Sequence, residues 1–268
     1  MKRAILNVER PLEGQTVLIT RPGPPPGDRL GLCLAPTGAT VVSSPVIQIL
    51  PPPCWDDVDR ALDSIDNYNG CVFLSHHGVQ AVLNRAKSLG HSGWSEPPGQ
   101  FFSIGSGTQA ELERLTGKTS WVPKQSNSLA MAELLLEHRH HSPFLVFRGN
   151  RGSSVLPDQL SSNGIPFEQV IAYGSADVEL ADPLIVQRMN AGQIDWVTVT
   201  SSAIARALVK LFGDSLNMTR LASISPTTSG VLTDLGYRPV VESRQYDFDG
   251  LVNAMIQWVG DQSDLPNR

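Results

Sequence analysis

The chain has 268 residues, of which 41% are hydrophobic and 18% charged, and a net charge of −5. That composition is globular rather than disordered, and the length suits two small domains. No basic face of the kind nucleic acid demands is visible. The apolar runs fall well short of the ~20 residues that span a bilayer, and the N-terminal stretch MKRAILNVERPLEG reads as no secretory leader. Neither a nucleic-acid nor a membrane partner is therefore expected. Cys33, Cys54 and Cys71 are odd in number and form no C-x-x-C pair, which points to a reduced, cytoplasmic chain.

Short apolar runs bounded by turn residues predict strands at TVLIT (16–20), CVFLS (71–75), FFSIG (101–105), FLVF (144–147), WVTVT (196–200) and LASIS (221–225). Each is followed by apolar residues at helical spacing, such as Leu112 and Leu115, or Val231, Leu232 and Leu235. This alternation predicts parallel sheets covered by helices. The chain also repeats itself. Ser75 and Ser201 lie 126 positions apart, Thr108 and Thr228 lie 120 apart, and Arg21 and Arg148, each ending a strand before a Gly/Pro-rich turn, lie 127 apart.

A complete set of these units occupies 70–164, and the other set is split between the N-terminus and 195–260. Sequential elements usually neighbour each other, so one lobe should be made from both chain ends with the other inserted. We expect an α/β fold of two flavodoxin-like lobes. Lobe 1 is discontinuous, at 1–44 and 176–262, lobe 2 spans 52–168, and 263–268 is a tail. Segments 45–51 and 169–175 should cross between lobes as a two-strand β-ladder hinge, stiffened at Pro51–Pro53.

Ligands of parallel α/β sheets bind beyond the carboxyl ends of the strands. Ser75, Thr108, Ser201, Ser202, Thr227 and Thr228 fall there, each where a helix begins. Two readings stand for each hydroxyl. It can cap a helix, or it can join free N–H groups and the helix dipole in holding an anion. Arg21 and Arg148 can hold a carboxylate bidentately or pack a loop. His76 and His77 start a helix beside these groups. Tyr173 lies in the return crossing, where a phenol can donate a proton. HRHH (138–141) has metal-ligand residue types but sits between a helix and Pro143, so a solvated loop is expected and no metal is assigned. GSGTQ (105–109) lacks the third glycine of a dinucleotide loop.

Taken together, LITRP (18–22), VFLS (72–75), SIGSGTQ (103–109), FRG (147–149), VIAY (170–173), VTVTSS (197–202) and SISPTTS (223–229) resemble, in order and spacing, the uroporphyrinogen-III synthase family over about residues 14–260. The resemblance implies two α/β lobes joined by a two-strand ladder, with the first lobe discontinuous. It implies a cofactor-free, metal-free lyase of tetrapyrrole and heme biosynthesis, here taken as monomeric, acting in the inter-lobe cleft. The substrate would be the linear tetrapyrrole hydroxymethylbilane, cyclised with loss of water and inversion of ring D through a spiro intermediate. Tyr173 is then the candidate proton donor. Arg21, Ser75, Thr108, Arg148, Ser201, Ser202, Thr227 and Thr228 are candidate substrate ligands. The sequence departs from the family pattern at Leu74, His76, His77, Ser225 and Ser229. Ser225 stands for a glycine, so a left-handed turn there would cost about 1 kcal/mol. The rival readings are a non-catalytic two-lobed small-anion binder and a flavodoxin-like cofactor domain pair.

Overall fold

The computed structural model describes residues 10–23, 29–91 and 99–263. In chain order the first half runs β1 (Thr16–Ile19), α1 (Arg29–Leu34), β2 (Thr40–Ser43), β3 (Ile47–Leu50), α2 (Asp56–Asp63), β4 (Gly70–Phe73), α3 (His76–Ser88), β5 (Gln100–Ser103), α4 (Ser106–Thr116) and α5 (Ser128–Glu137). The rest runs β6 (Phe144–Gly149), α6 (Val155–Ser162), β7 (Phe167–Asp177), α7 (Pro183–Asn190), β8 (Trp196–Val199), α8 (Ser202–Phe212), β9 (Arg220–Ser223), α9 (Pro226–Asp234), β10 (Val241–Glu242) and α10 (Phe248–Ser263). All six strands expected from apolar runs are present. β2 and β10 are not among them, because both carry polar residues and lie at sheet edges, and β10 has only two residues.

Two compact units result, one from the residues up to 48 together with those from 177 on, the other from 49–176. The first unit carries a sheet in the order β10-β9-β8-β1-β2, the second a sheet in the order β3-β7-β6-β4-β5. All the registered pairs are parallel. The run β9-β8-β1-β2 of the first sheet repeats β5-β4-β6-β7 of the second. The repeat is in register. Val199 pairs with Ser223, and Phe73 pairs with Ser103, at the same spacings that separate the serine and threonine units in sequence. Even the short β10 has a counterpart, an isolated parallel bridge between Phe102 and Trp121.

The strands read as unbroken apolar runs because helices bury both faces of each sheet. In β6, Leu145 and Phe147 enter one cluster with Phe73, Val79 and Leu112, while Phe144 and Val146 enter the opposite one with Met131, Leu135 and Leu160. In the first unit, Leu18, Val197 and Leu208 pack on one face and Val17, Trp196 and Leu251 on the other. Polar groups inside this sheet are satisfied locally. Thr20 Oγ1 donates to Thr198 O at 2.7 Å, Thr198 Oγ1 donates to Leu18 O at 3.1 Å, and the Asp195 carboxylate accepts from Thr16 N at 2.8 Å.

One segment differs in kind from its sequence expectation. Residues 169–175, expected as a hinge strand, belong to β7, which pairs with β6 from Phe167 to Tyr173 and lies between β6 and β3 inside the second sheet. Val170 and Ala172 are core residues of that unit. A boundary at 168 therefore cuts through a sheet strand. Val178 N donates to Val46 O at 2.9 Å, and Gly174 lies against Leu50 and Pro51, so the β3 and β7 segments run antiparallel.

Candidate active site

The hydroxyl groups at the strand ends come first. Ser75 has an extended backbone (φ −171°) and accepts a hydrogen bond from His77 N at 3.1 Å, so it caps α3. Ser201 does the same for α8, accepting from Ile204 N at 3.2 Å. A hydroxyl oxygen that accepts a backbone N–H still has its own proton to donate. Capping and carboxylate binding are thus compatible in one half-buried serine. Ser202 opens α8 and is also half-buried, and Thr227 is exposed on the first turn of α9. Thr108 and Thr228 are different: they are only 5% and 2% exposed. Thr228 faces Ser225, with 3.2 Å between the hydroxyl oxygens. Both threonines are buried in their helix starts, and Thr228 is engaged with its own turn.

The expected strain at Ser225 does not occur. Its φ is −164°, extended backbone that any residue adopts, and its hydroxyl accepts from Thr228 N at 3.4 Å as the cap of α9. No described non-glycine residue has a positive φ. The equivalent position in the second unit is Gly105, also extended (φ −174°), where a Cβ would run into the Ser126 side chain. Glycine is needed there for space and not for φ.

The two arginines have structural partners. Arg148 donates from Nη1 to Gln169 Oε1 at 2.9 Å, from Nη2 to Gly152 O at 2.5 Å and from Nε to Gly149 O at 3.3 Å. Its fork braces the turn after β6, the loop-packing alternative for this residue. Arg21 lies 4.7 Å from the Phe248 ring centroid, a cation–π contact that ties the end of β1 to α10.

Tyr173 is placed by an irregularity. Between β6 and β7 the register runs Arg148 with Ile171 and then Gly149 with Tyr173, leaving Ala172 as an extra residue. Strict alternation would put Tyr173 on the face of exposed Ile171, but the bulge turns it onto the face of Val170 and Ala172, where it packs on their core. Its ring covers Gly149 so closely that a Cβ there would stand 2.9 Å from Oη, and it meets Gly78 at 3.8 Å by the same measure. The His77 ring lies 5.8 Å away.

Beside Tyr173 opens a hollow of about 420 Å³, lined among others by Leu50, Trp55, His77, Gln80 and Arg85. Arg85 reaches Asp59 through Nε at 2.7 Å and Nη2 at 2.5 Å, and this bond holds the Asp59 carboxyl below its usual range. Gln80 donates to Glu111 at 2.7 Å; Glu111 is likewise held low, chiefly by Arg114. The walls thus offer amide and imidazole groups around neutralised charges. Trp55, Gln80 and Arg85 escaped the sequence reading. The signal was available on α3, where His77, Gln80, Ala81, Asn84, Arg85 and Ser88 recur at helical spacing and all line the hollow.

The family model described as uroporphyrinogen-III synthase HemD matches residues 31–253 of this chain. A uroporphyrinogen-III synthase of Synechococcus elongatus is 28% identical over 264 residues, covering 93% of this chain and 97% of the relative. The solved uroporphyrinogen-III synthetase of Helicobacter pylori superposes with a TM-score of 0.63 at 16% identity over 91% of this chain and 99% of that one. A mutant uroporphyrinogen III synthase of Thermus thermophilus gives a TM-score of 0.59 at 12% identity, over 92% and 99% of the two chains. At such identities the solved structures speak for the fold, and the family rests on the match of the family model across most of the sequence. The chain belongs to the uroporphyrinogen-III synthase family.

Proposed function

We propose that this chain closes hydroxymethylbilane to uroporphyrinogen III with Tyr173 as the proton donor. The C–O bond of the ring A hydroxymethyl group breaks, and the departing hydroxide takes a proton and leaves as water. Ring D attacks the resulting azafulvene through its already substituted carbon. The spiro-pyrrolenine formed then fragments and recloses with ring D inverted, and a final proton loss restores the pyrrole. Net, one water leaves and no electrons are exchanged, which makes the reaction a lyase step. Most of the catalytic task is holding the two chain ends in the geometry of the spiro intermediate.

The observation that carries the tyrosine assignment is the bulge: it turns a phenol from a solvent-facing register onto the wall of the 420 Å³ hollow. A phenol there can donate the proton that the departing hydroxide takes. Ser75, Ser201, Ser202 and Thr227 supply O–H donors at the strand ends, where helix N-termini add N–H groups. Many such weak donors can hold a substrate of eight carboxylates on a chain of net charge −5. A reducing compartment, the cytoplasm, fits three free cysteines, of which Cys54 is exposed.

Tyr173→Phe keeps the ring over Gly149 and removes only the donor. Turnover should fall by roughly 10²–10⁴-fold, with the melting temperature unchanged. Product should shift towards the non-inverted isomer as spontaneous closure overtakes catalysis. Wild-type rate and pure type III product in this variant would remove Tyr173 from the mechanism.

A further inference from the structure

We propose that His138, His140 and His141 form a binding site for a borderline divalent transition-metal ion of the Zn²⁺ class. α5 ends at Glu137, with His138 as the capping residue that follows, and a single 3-10 turn carries Arg139–His141 before β6. This turn brings one nitrogen from each imidazole to within 4.8 Å of the others. The HRHH segment, expected as a solvated loop, is an ordered turn with Arg139 and His140 exposed and His138 and His141 half-buried. His138 is half-buried with its ring 4.3 Å from that of Trp121, and Phe102 packs edge-on to it at 5.7 Å.

A second observation is independent of the clustering. His138 Nδ1 is buried and has no hydrogen-bond partner among the described residues. A buried polar nitrogen is normally satisfied, and one that is not calls for an explanation such as an ion or a water. A metal bound at this nitrogen would supply the missing partner.

The donor set selects the ion. Three imidazoles, with no carboxylate or thiolate in the group among the described residues, suit Zn²⁺, Ni²⁺ or Cu²⁺ and offer nothing to Mg²⁺ or Ca²⁺. Three protein ligands leave the fourth tetrahedral position to water. Zn–N bonds of about 2.0–2.1 Å put ligand nitrogens about 3.4 Å apart. The cluster must then tighten by about 1.4 Å at its widest. Exposed His140, on a one-turn helix, can supply this by side-chain rotation. The site lies near the amino ends of the strands, since Asn69, which precedes β4, bonds Ser142 O and Pro143 O. The hydroxyl groups of the tetrapyrrole site lie at the carboxyl ends. The metal would clip the turn between α5 and β6 and take no part in ring closure.

The test uses the full chain, stripped of metal and titrated with Zn²⁺ by calorimetry, then with Co²⁺ by visible absorption. One equivalent of Zn²⁺ should bind saturably, Co²⁺ should give the intense visible band of a tetrahedral site, and Zn²⁺ should raise the melting temperature. His140→Ala, at an exposed position, should melt like wild type without metal but bind Zn²⁺ at least about tenfold more weakly. His91→Ala, a surface histidine 3.3 Å from Asp63, should bind like wild type. Absence of saturable Zn²⁺ binding, or unchanged affinity in His140→Ala, would overturn the assignment. An equal loss in His91→Ala would move the site elsewhere and overturn it too.

Discussion

The two units use one sheet plan and diverge at the strand ends. In the first, β1 and β2 pair without interruption from Thr16 with Thr40 to Ile19 with Ser43. In the second, the equivalent pair of β6 and β7 runs on past the corresponding point, and the bulge that turns Tyr173 lies in that extension, between Arg148 and Gly149. The turn arginines diverge as well: Arg21 stacks on an aromatic ring, and Arg148 braces a loop. The helix starts after β9 and β5 diverge a third time, through Ser225 and Gly105. The repeated features build the sheet and the serine-capped helix starts after β4 and β8, and the candidate acid appears at a departure from the repeat. In such a chain the local failure of symmetry marks where to look for the acid.

The comparison breaks most completely if β7 is taken from its sheet. A fragment of residues 47–177 retains both edges of the second sheet and should melt cooperatively. A fragment of 52–168 loses β3 and almost all of β7, leaving β6 unpaired on one side and Val170 and Ala172 missing from the core. It should show no cooperative transition by circular dichroism. Equal stability of the two would mean that β7 is dispensable to the unit and that the hinge assignment from sequence is the better one.

A smaller effect tests the unequal turns. Gly105→Ser forces a side chain against Ser126 and should cost about 1–3 kcal/mol in denaturant unfolding, as overpacking does. Ser225→Gly, the reverse exchange in the first unit, loses a cap in favour of glycine and should cost only a few tenths of a kcal/mol. Equal costs would show that the two turns are not differently packed.

The smallest expected effect has the opposite sign. Ser229 stands where the family pattern has alanine, and its hydroxyl is buried with no partner among the described residues. Ser229→Ala should therefore raise unfolding stability by about 1 kcal/mol, the desolvation of an unmade bond. A destabilised variant would show that the hydroxyl has a partner after all.

Periodicity and repetition were enough for the architecture. Apolar runs of four or five residues between turn signals mark buried parallel strands, because only a sheet covered on both faces leaves no polar alternation. The out-of-order units pointed to a discontinuous first lobe for the same local reasons. Family membership was legible in the ordered motifs from LITRP to SISPTTS. What tertiary structure decided lies in pairing and proximity. The direction in which Tyr173 points depends on one extra residue opposite β6, which no property of VIAY reveals. The burial of Thr108 and Thr228, the closure of Arg148 on Gln169 and the packing of His138 against Phe102 and Trp121 depend on neighbours distant in sequence. Residue type and spacing are local and survive in the sequence; the face a side chain takes, and what it meets there, exist only once the strands are paired.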